Sequence, residues 1–211
     1  MTATAATYIR EVQNVNQSSD ESASGTGRFH IEFFFDQVDP DFVTAAELEK
    51  LRSAILATLE RQRVGQAEIS VAIVSGDRMR QLNNQYLQHD YDTDVLSFCL
   101  EEEEELGFML GQLVVSLDFA RSQIAALAQQ GTAQVDLIDE LALYLVHGTL
   151  HLVGYDDHDD AGRLQMRTAE SDVLRTLGIE PVWLADGNDH SSGLREQPGD
   201  ETPVDTAERL T

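Results

Sequence analysis

His147-Gly148-Thr149-Leu150-His151-Leu152-Val153-Gly154-Tyr155-Asp156-Asp157-His158-Asp159-Asp160 is the stretch that decides how this chain is read. The apolar pattern before it predicts a helix over 135–153 that stops at Gly154, where a left-handed cap is cheapest. Side chains at i and i+4 share a face one turn apart, so His147 and His151 can reach one metal ion without distorting the backbone. Gly154 lets the chain turn back and bring Asp156, Asp157 or His158 to the same ion, which completes a three-ligand site with an open position for water. Zinc held in this way lowers the pKa of bound water towards ~7, which makes hydrolysis the natural activity. The alternative is a pair of satisfied core histidines, or one buried and one capping, on a helix otherwise made of Leu, Val and Tyr. A peptidase of the His-Glu-x-x-His type is disfavoured, because its general base follows the first histidine and Gly148 stands there.

Outward from this segment, the apolar spacing alternates between the two secondary-structure periods. Strands are expected at 29–35, 69–74, 94–100 and 112–117, the last two paired as a hairpin across an acidic loop, Glu101 to Glu105. Helices are expected at 41–63, with Leu48, Leu51, Ile55 and Leu59 on one face, after Ser75-Gly76-Asp77, with Met79, Leu82 and Tyr86, and at 118–130, 135–153 and 160–177. Gly131 and Gly178 punctuate the helix ends as Gly154 does. Four strands and five helices make an α/β or α+β layer fold.

The 211 residues suit one domain with tails. Residues 1–28 and 186–211 are poor in large apolar side chains and are expected to be a flexible N-terminal tail and an acidic, disordered C-terminal tail around a folded 29–185. Fourteen Lys and Arg face 38 Asp and Glu, a net charge of −24, which excludes a broad basic face that grips nucleic acid by bulk electrostatics. The two ends account for −6 of it. Cys99 is the one cysteine, so no intrachain disulfide forms and a cytoplasmic home fits better than an oxidising one. No apolar run approaches the ~20 residues that span a bilayer, and no signal peptide is read.

Two separated blocks resemble the YbeY family of bacterial endoribonucleases, proteins tied to maturation of small-subunit ribosomal RNA and to ribosome quality control. The first block is Leu82-Asn83, Tyr86, Asp90 and Thr93-Asp94-Val95-Leu96-Ser97-Phe98. The second is Glu140-Leu141, His147-Gly148, Leu150-His151-Leu152 and Gly154-Tyr155-Asp156, with Met166 and Glu170 downstream. Gly111 sits where the family has a Gly-led strand, and the likeness runs over about 29–178. It implies a single α+β domain, zincin-like, with a small four-stranded mixed sheet packed by about five helices. It also implies a zinc-dependent endoribonuclease cutting single-stranded ribosomal RNA, with the ribosome or ribosomal proteins as partners, no membrane, and a monomeric state. Residues 93–98 then wall the cleft, with Asp94 and Ser97 as candidate catalytic residues. Ser97 is either a cleft hydroxyl that places substrate or water, or a strand serine hydrogen-bonded in the sheet. Glu140 either supports the site or forms a buried structural ion pair.

The chain departs from the family pattern twice. The third-ligand position, a histidine in the family, falls on Asp157, with His158 the rival one residue later. Leu87 stands where the family has an arginine able to bind phosphate bidentately. Phosphate contacts would then come from elsewhere, and Arg78, Arg80, Arg163 and Arg167 are nearest in sequence; His89 is a partial substitute if protonated. Two other readings remain: a non-catalytic ribosome-assembly factor with a structural metal, and a metallohydrolase with a non-nucleic substrate.

Overall fold

The computed structural model describes residues 27–103, 107–131 and 135–182. The expected tails fall outside these residues, apart from Gly27 and Arg28, as does the end of the expected domain, 183–185. The elements run β1 (Phe29–Asp36), a short 3-10 turn (Pro40–Phe42), α1 (Ala45–Arg61), β2 (Gln66–Val74), α2 (Gly76–Leu87), β3 (Val95–Glu103), β4 (Phe108–Ser116), α3 (Leu117–Gln129), α4 (Leu137–Leu152) and α5 (Asp160–Thr176). This is the single α+β domain with a mixed four-stranded sheet and five helices that was expected.

The sheet order is β1-β2-β4-β3, with the first three strands parallel and β3 antiparallel to β4. Alternation along the strands sends Ile31, Ile69, Val71, Ile73, Leu113 and Val115 to one face, where they meet α1, α4 and α5 in the main core. Ala72, Val74, Leu96 and Val114 point the other way and close against Met79 and Leu82 of α2 in a smaller core. No described helix is long and apolar enough to cross a membrane.

Strands β2 and β4 begin earlier than expected, at Gln66 and Phe108, and two further boundaries differ for local reasons. Helix α1 starts at Ala45 and not at Asp41, because Thr44 and Glu47 form a reciprocal capping box, Glu47 N–H donating to Thr44 Oγ1 at 3.3 Å and Thr44 N–H to the Glu47 carboxylate at 2.8 Å. Pro40 lies in the turn before it. The expected acidic loop is partly strand: Glu101, Glu102 and Glu103 pair with Leu110, Met109 and Phe108, after an irregularity in register between Cys99 and Glu101.

Helix α4 positions the site. It is buried along almost its whole length, and His147 and His151 are among its few partly exposed side chains. It lies so close to β3 that a Cβ on Gly148 would be 2.9 Å from Ser97 Oγ, Leu113 Cδ2 and Val95 Cγ2. At its end Gly154 takes φ 90°. The Gly154 N–H then donates to His151 O at 3.0 Å and the Tyr155 N–H to Leu150 O at 3.0 Å, a Schellman cap that reverses the chain toward the histidines.

Candidate metal centre

The reversal after Gly154 brings His147, His151 and Asp157 together, with one potential ligand atom from each within 4.8 Å of the others. His147 and His151 face each other through their Nε2 atoms, 3.0 Å apart, and the Asp157 carboxylate lies 3.9 Å from each. Both Nδ1 atoms are committed elsewhere. His147 Nδ1–H donates to Glu170 Oε1 at 2.7 Å, and His151 Nδ1–H donates to the Tyr155 carbonyl at 3.0 Å. Those bonds fix the tautomers and leave both Nε2 lone pairs aimed at one point.

This arrangement supplies a test of fit. Two neutral acceptor nitrogens at that separation repel unless a proton or a cation lies between them. Burial works against a charge on His147, but the Glu170 carboxylate, helped by Asp94 and Asp157, overrides it and raises the pKa to about 9. Burial and the neighbouring His147 push His151 down. The surroundings thus favour a positive charge at this point, which a divalent cation would supply, and Asp157 would add an anionic third ligand. The donor set, two imidazoles and a carboxylate, suits zinc.

His158, the rival to Asp157, has its Nδ1 4.0 Å from the Asp157 carboxylate but is turned to solvent. Its side chain is 65% exposed and bonded to Asp156, whereas Asp157 is 14% exposed. Asp156, Asp157 and His158 form a second, more open cluster beside the first. Arg163 of α5 crosses under this loop, donating from Nη1 to the carbonyls of Asp157 at 3.1 Å and His158 at 3.3 Å, and pairing with Asp160. It therefore fastens the loop that carries Asp157.

The other candidate residues sort clearly. Asp94 acts on both histidines through its charge, and its Oδ1 accepts from the Thr93 hydroxyl at 3.0 Å. Ser97 Oγ is buried under Gly148 with no hydrogen-bond partner among the described residues, on the sheet face that carries α4. Glu140 is buried and accepts from the Tyr144 hydroxyl at 2.7 Å. Arg78 is tied to Asp36 at 2.9 Å, and Arg80 forks onto Asp90 at 2.7 and 2.9 Å. Arg167 is half-buried on α5. Leu87 ends α2, with 48% of its surface exposed.

The reading from sequence named Glu170 only as part of a motif, without its role. The signal was available: Met166, Ala169, Val173 and Leu174 form the buried face of α5, and Glu170 interrupts it at a core position. A glutamate there needs a partner, and His147 is that partner.

The family described as Endoribonuclease YbeY matches this chain over residues 35–178. The Endoribonuclease YbeY of Anaeromyxobacter dehalogenans is 36% identical over 149 residues, 70% of this chain and 72% of that one. The protein of the same name from Bacillus licheniformis is 34% identical over 143 residues, 64% of this chain and 85% of that one. The solution structure of TM1509 from Thermotoga maritima matches with a TM-score of 0.48 at 23% identity, over 79% of this chain and 99% of that one.

Proposed function

This chain belongs to the YbeY family of endoribonucleases, and from that premise we propose that it is a zinc-dependent, single-strand-specific endoribonuclease. Its place is the cytoplasm, in maturation of the 3′ end of small-subunit ribosomal RNA and in ribosome quality control. The observation that carries the reading is the convergence of two tautomer-locked imidazoles and one carboxylate at a single point. His147, His151 and Asp157 hold the ion. What supports Asp157 over His158 is that it faces both Nε2 atoms, while His158 is exposed and engaged with Asp156.

When bound, zinc supplies a Lewis acid for the phosphodiester and a water of lowered pKa. The protein groups do the rest. Glu170 and the Tyr155 carbonyl keep the rings in the ligating tautomer, and Arg163 keeps the Asp157 loop in place. Asp94, which accepts from the Thr93 hydroxyl, is the candidate catalytic carboxylate, and its charge favours a cation between the two histidines. Ser97, small and with its hydroxyl buried under Gly148, lets α4 lie close on β3.

The test is cleavage of a labelled single-stranded RNA and its duplex counterpart by purified protein of measured zinc content. Cutting of the single strand alone is expected, with His147→Ala and His151→Ala folded but inactive. Zinc-loaded protein that cuts no ribosomal RNA, with or without ribosomes, overturns the catalytic reading. One observation favours a second reading, an assembly factor that docks and whose metal pins the fold: Leu87 stands exposed where a phosphate-binding arginine is expected. Unfolding on chelation, without any RNA cleavage, would select it.

A further inference from the structure

We propose that Gln62, at the C-terminal cap of α1, is a positioning residue for His151, acting through Tyr155 on the ring that the candidate centre uses. The proposal rests on the reading above, that His147, His151 and Asp157 hold zinc, and extends the support of that centre to a helix that carries no ligand.

Tyr155 joins the two residues. Its carbonyl accepts from His151 Nδ1–H at 3.0 Å, its N–H donates to the Leu150 carbonyl at 3.0 Å, and its hydroxyl donates to Gln62 Oε1 at 3.3 Å. The ring between these ties packs, partly buried, against the main core. The first two bonds lie within the cap that ends α4, next to Gly154, which has open space around it and no side chain to restrict the backbone. The third reaches outside the cap, to a residue 93 positions away in sequence. A tyrosine held both at its main chain and at its ring tip cannot swing, so its carbonyl stays on Nδ1 and the Nε2 of His151 stays directed at His147 and Asp157.

The end of α1 is itself fixed. Gln62 N–H donates to Thr58 O at 3.0 Å, Arg63 takes φ 60°, and the Arg63 and Val64 N–H groups donate to Glu60 O and Leu59 O, each at 3.0 Å, which closes a Schellman cap. Leu51, Ala54, Ile55 and Leu59 bury the inner face of the helix in the same cluster as α4 and α5. The core therefore sets the position of Gln62, and Gln62 passes it to Tyr155. Arg61 pairs with Asp172 of α5, two residues beyond Glu170, but both partners are nearly half exposed and such a pair contributes little. The partly buried bond between Gln62 and Tyr155 carries the inference.

That bond is neutral at both ends, so its effect is smaller than that of a direct partner. Groups bonded to a ligand histidine typically carry about 10- to 100-fold in metal affinity. Gln62 stands one contact further out, and a neutral hydrogen bond accounts for a factor of about 3 to 10. The acceptor decides the outcome, not the size of the side chain. Gln62→Leu keeps most of the volume and removes the bond, whereas Gln62→Glu keeps an oxygen for the tyrosine hydroxyl. Tyr155→Phe removes the same bond from the other side and spares the backbone bonds to His151 and Leu150.

The experiment reads the His151 ring of the zinc-free full chain, by nitrogen chemical shifts of labelled protein at one fixed pH, and the zinc affinity of the same chain by chelator competition. The native ring is expected to hold the Nδ1–H tautomer. Gln62→Leu and Tyr155→Phe should each let it populate the other tautomer and should each weaken zinc binding about 3- to 10-fold. Gln62→Glu should return both readings toward native. The double variant Gln62→Leu with Tyr155→Phe should lose no more than either change alone, because the two remove one bond. Thermal unfolding of the zinc-free chain reports a purely structural loss separately, and a lower Tm with tautomer and zinc affinity unchanged would overturn the positioning role. Losses that add in the double variant would overturn it as well. A native chain that binds zinc with the variants unchanged removes only the role of Gln62, whereas a native chain that binds no zinc removes the metal reading and the role of Gln62 with it.

Discussion

At the scale of single residues, the candidate centre is shaped by groups outside the His147, His151 and Asp157 trio. Arg163 holds two successive carbonyls of the loop carrying Asp157, so Arg163→Ala frees that carboxylate without touching a ligand. We expect a drop of about 10- to 100-fold in zinc affinity, by competition with a chromogenic chelator, and partial recovery in Arg163→Lys. Asp92 makes a separate prediction. Burial raises its pKa to about 6, with the neighbouring Asp118 and Asp94 charges adding to the rise, and its Oδ1 has no hydrogen-bond partner among the described residues. Its proton is held more tightly in the folded chain than in the unfolded one, so its contribution is fully present below about pH 4 and is lost as pH rises through 6. Asp92→Asn should therefore gain stability over the native chain at pH 7, by about 1 kcal/mol after allowance for solvent screening, and the gain should vanish toward pH 4 in urea titrations. What the sequence made legible at this scale was the His147 and His151 pair with a third candidate at Asp157 or His158, because i, i+4 spacing and a glycine stop are local. Glu170 was legible only as a motif position, since the pairing of residues 147 and 170 exists only once α5 has packed on α4.

Among the elements, the decisive contact is α4 on β3. Gly148 faces Leu113, Ser97 and Val95 with no room for a methyl group, so the helix settles close to the strand and presents its histidines beside Asp94. Gly148→Ala must push the helix outward or distort Val95 and Leu113. Overpacking of this kind costs about 1–3 kcal/mol, seen as a fall of about 2–10 °C in Tm, and zinc affinity should fall with it because both Nε2 atoms move. The same glycine explains why the peptidase base is missing: no side chain fits there, whatever its chemistry. The helix ends were readable because Gly131, Gly154 and Gly178 carry positive φ where the apolar rhythm stops. The strand ends were less so. Gln66 and Glu68 at the start of β2 are exposed and polar, and Glu101 to Glu103 continue β3 by backbone pairing that composition does not reveal. The parallel pairing of β1, β2 and β4 is a long-range choice, invisible to local periodicity.

For the molecule as a whole, core and centre are separable. Leu141, Ala142, Leu145, Val146 and Leu150 bury the inner faces of α4 in the main cluster, together with residues of β2, β4, α1 and α5, and none of this packing requires an ion. The net charge of −24 opposes compaction, yet around the histidines the Asp94, Asp157 and Glu170 carboxylates together favour a positive charge. A divalent cation there relieves that local excess, and because the unfolded chain has no assembled site, its binding free energy adds to folding. At a free zinc concentration of 100 times Kd the gain is about 2.7 kcal/mol, or about 5–10 °C in Tm for a domain of this size. Chelated protein should therefore keep its circular dichroism spectrum and melt cooperatively at the lower temperature, zinc should restore the difference, and His147→Ala should melt at one temperature in either condition. Loss of the folded signal on chelation at room temperature would instead mean that the ion holds the core together, and the separation of core from centre argued here would fail.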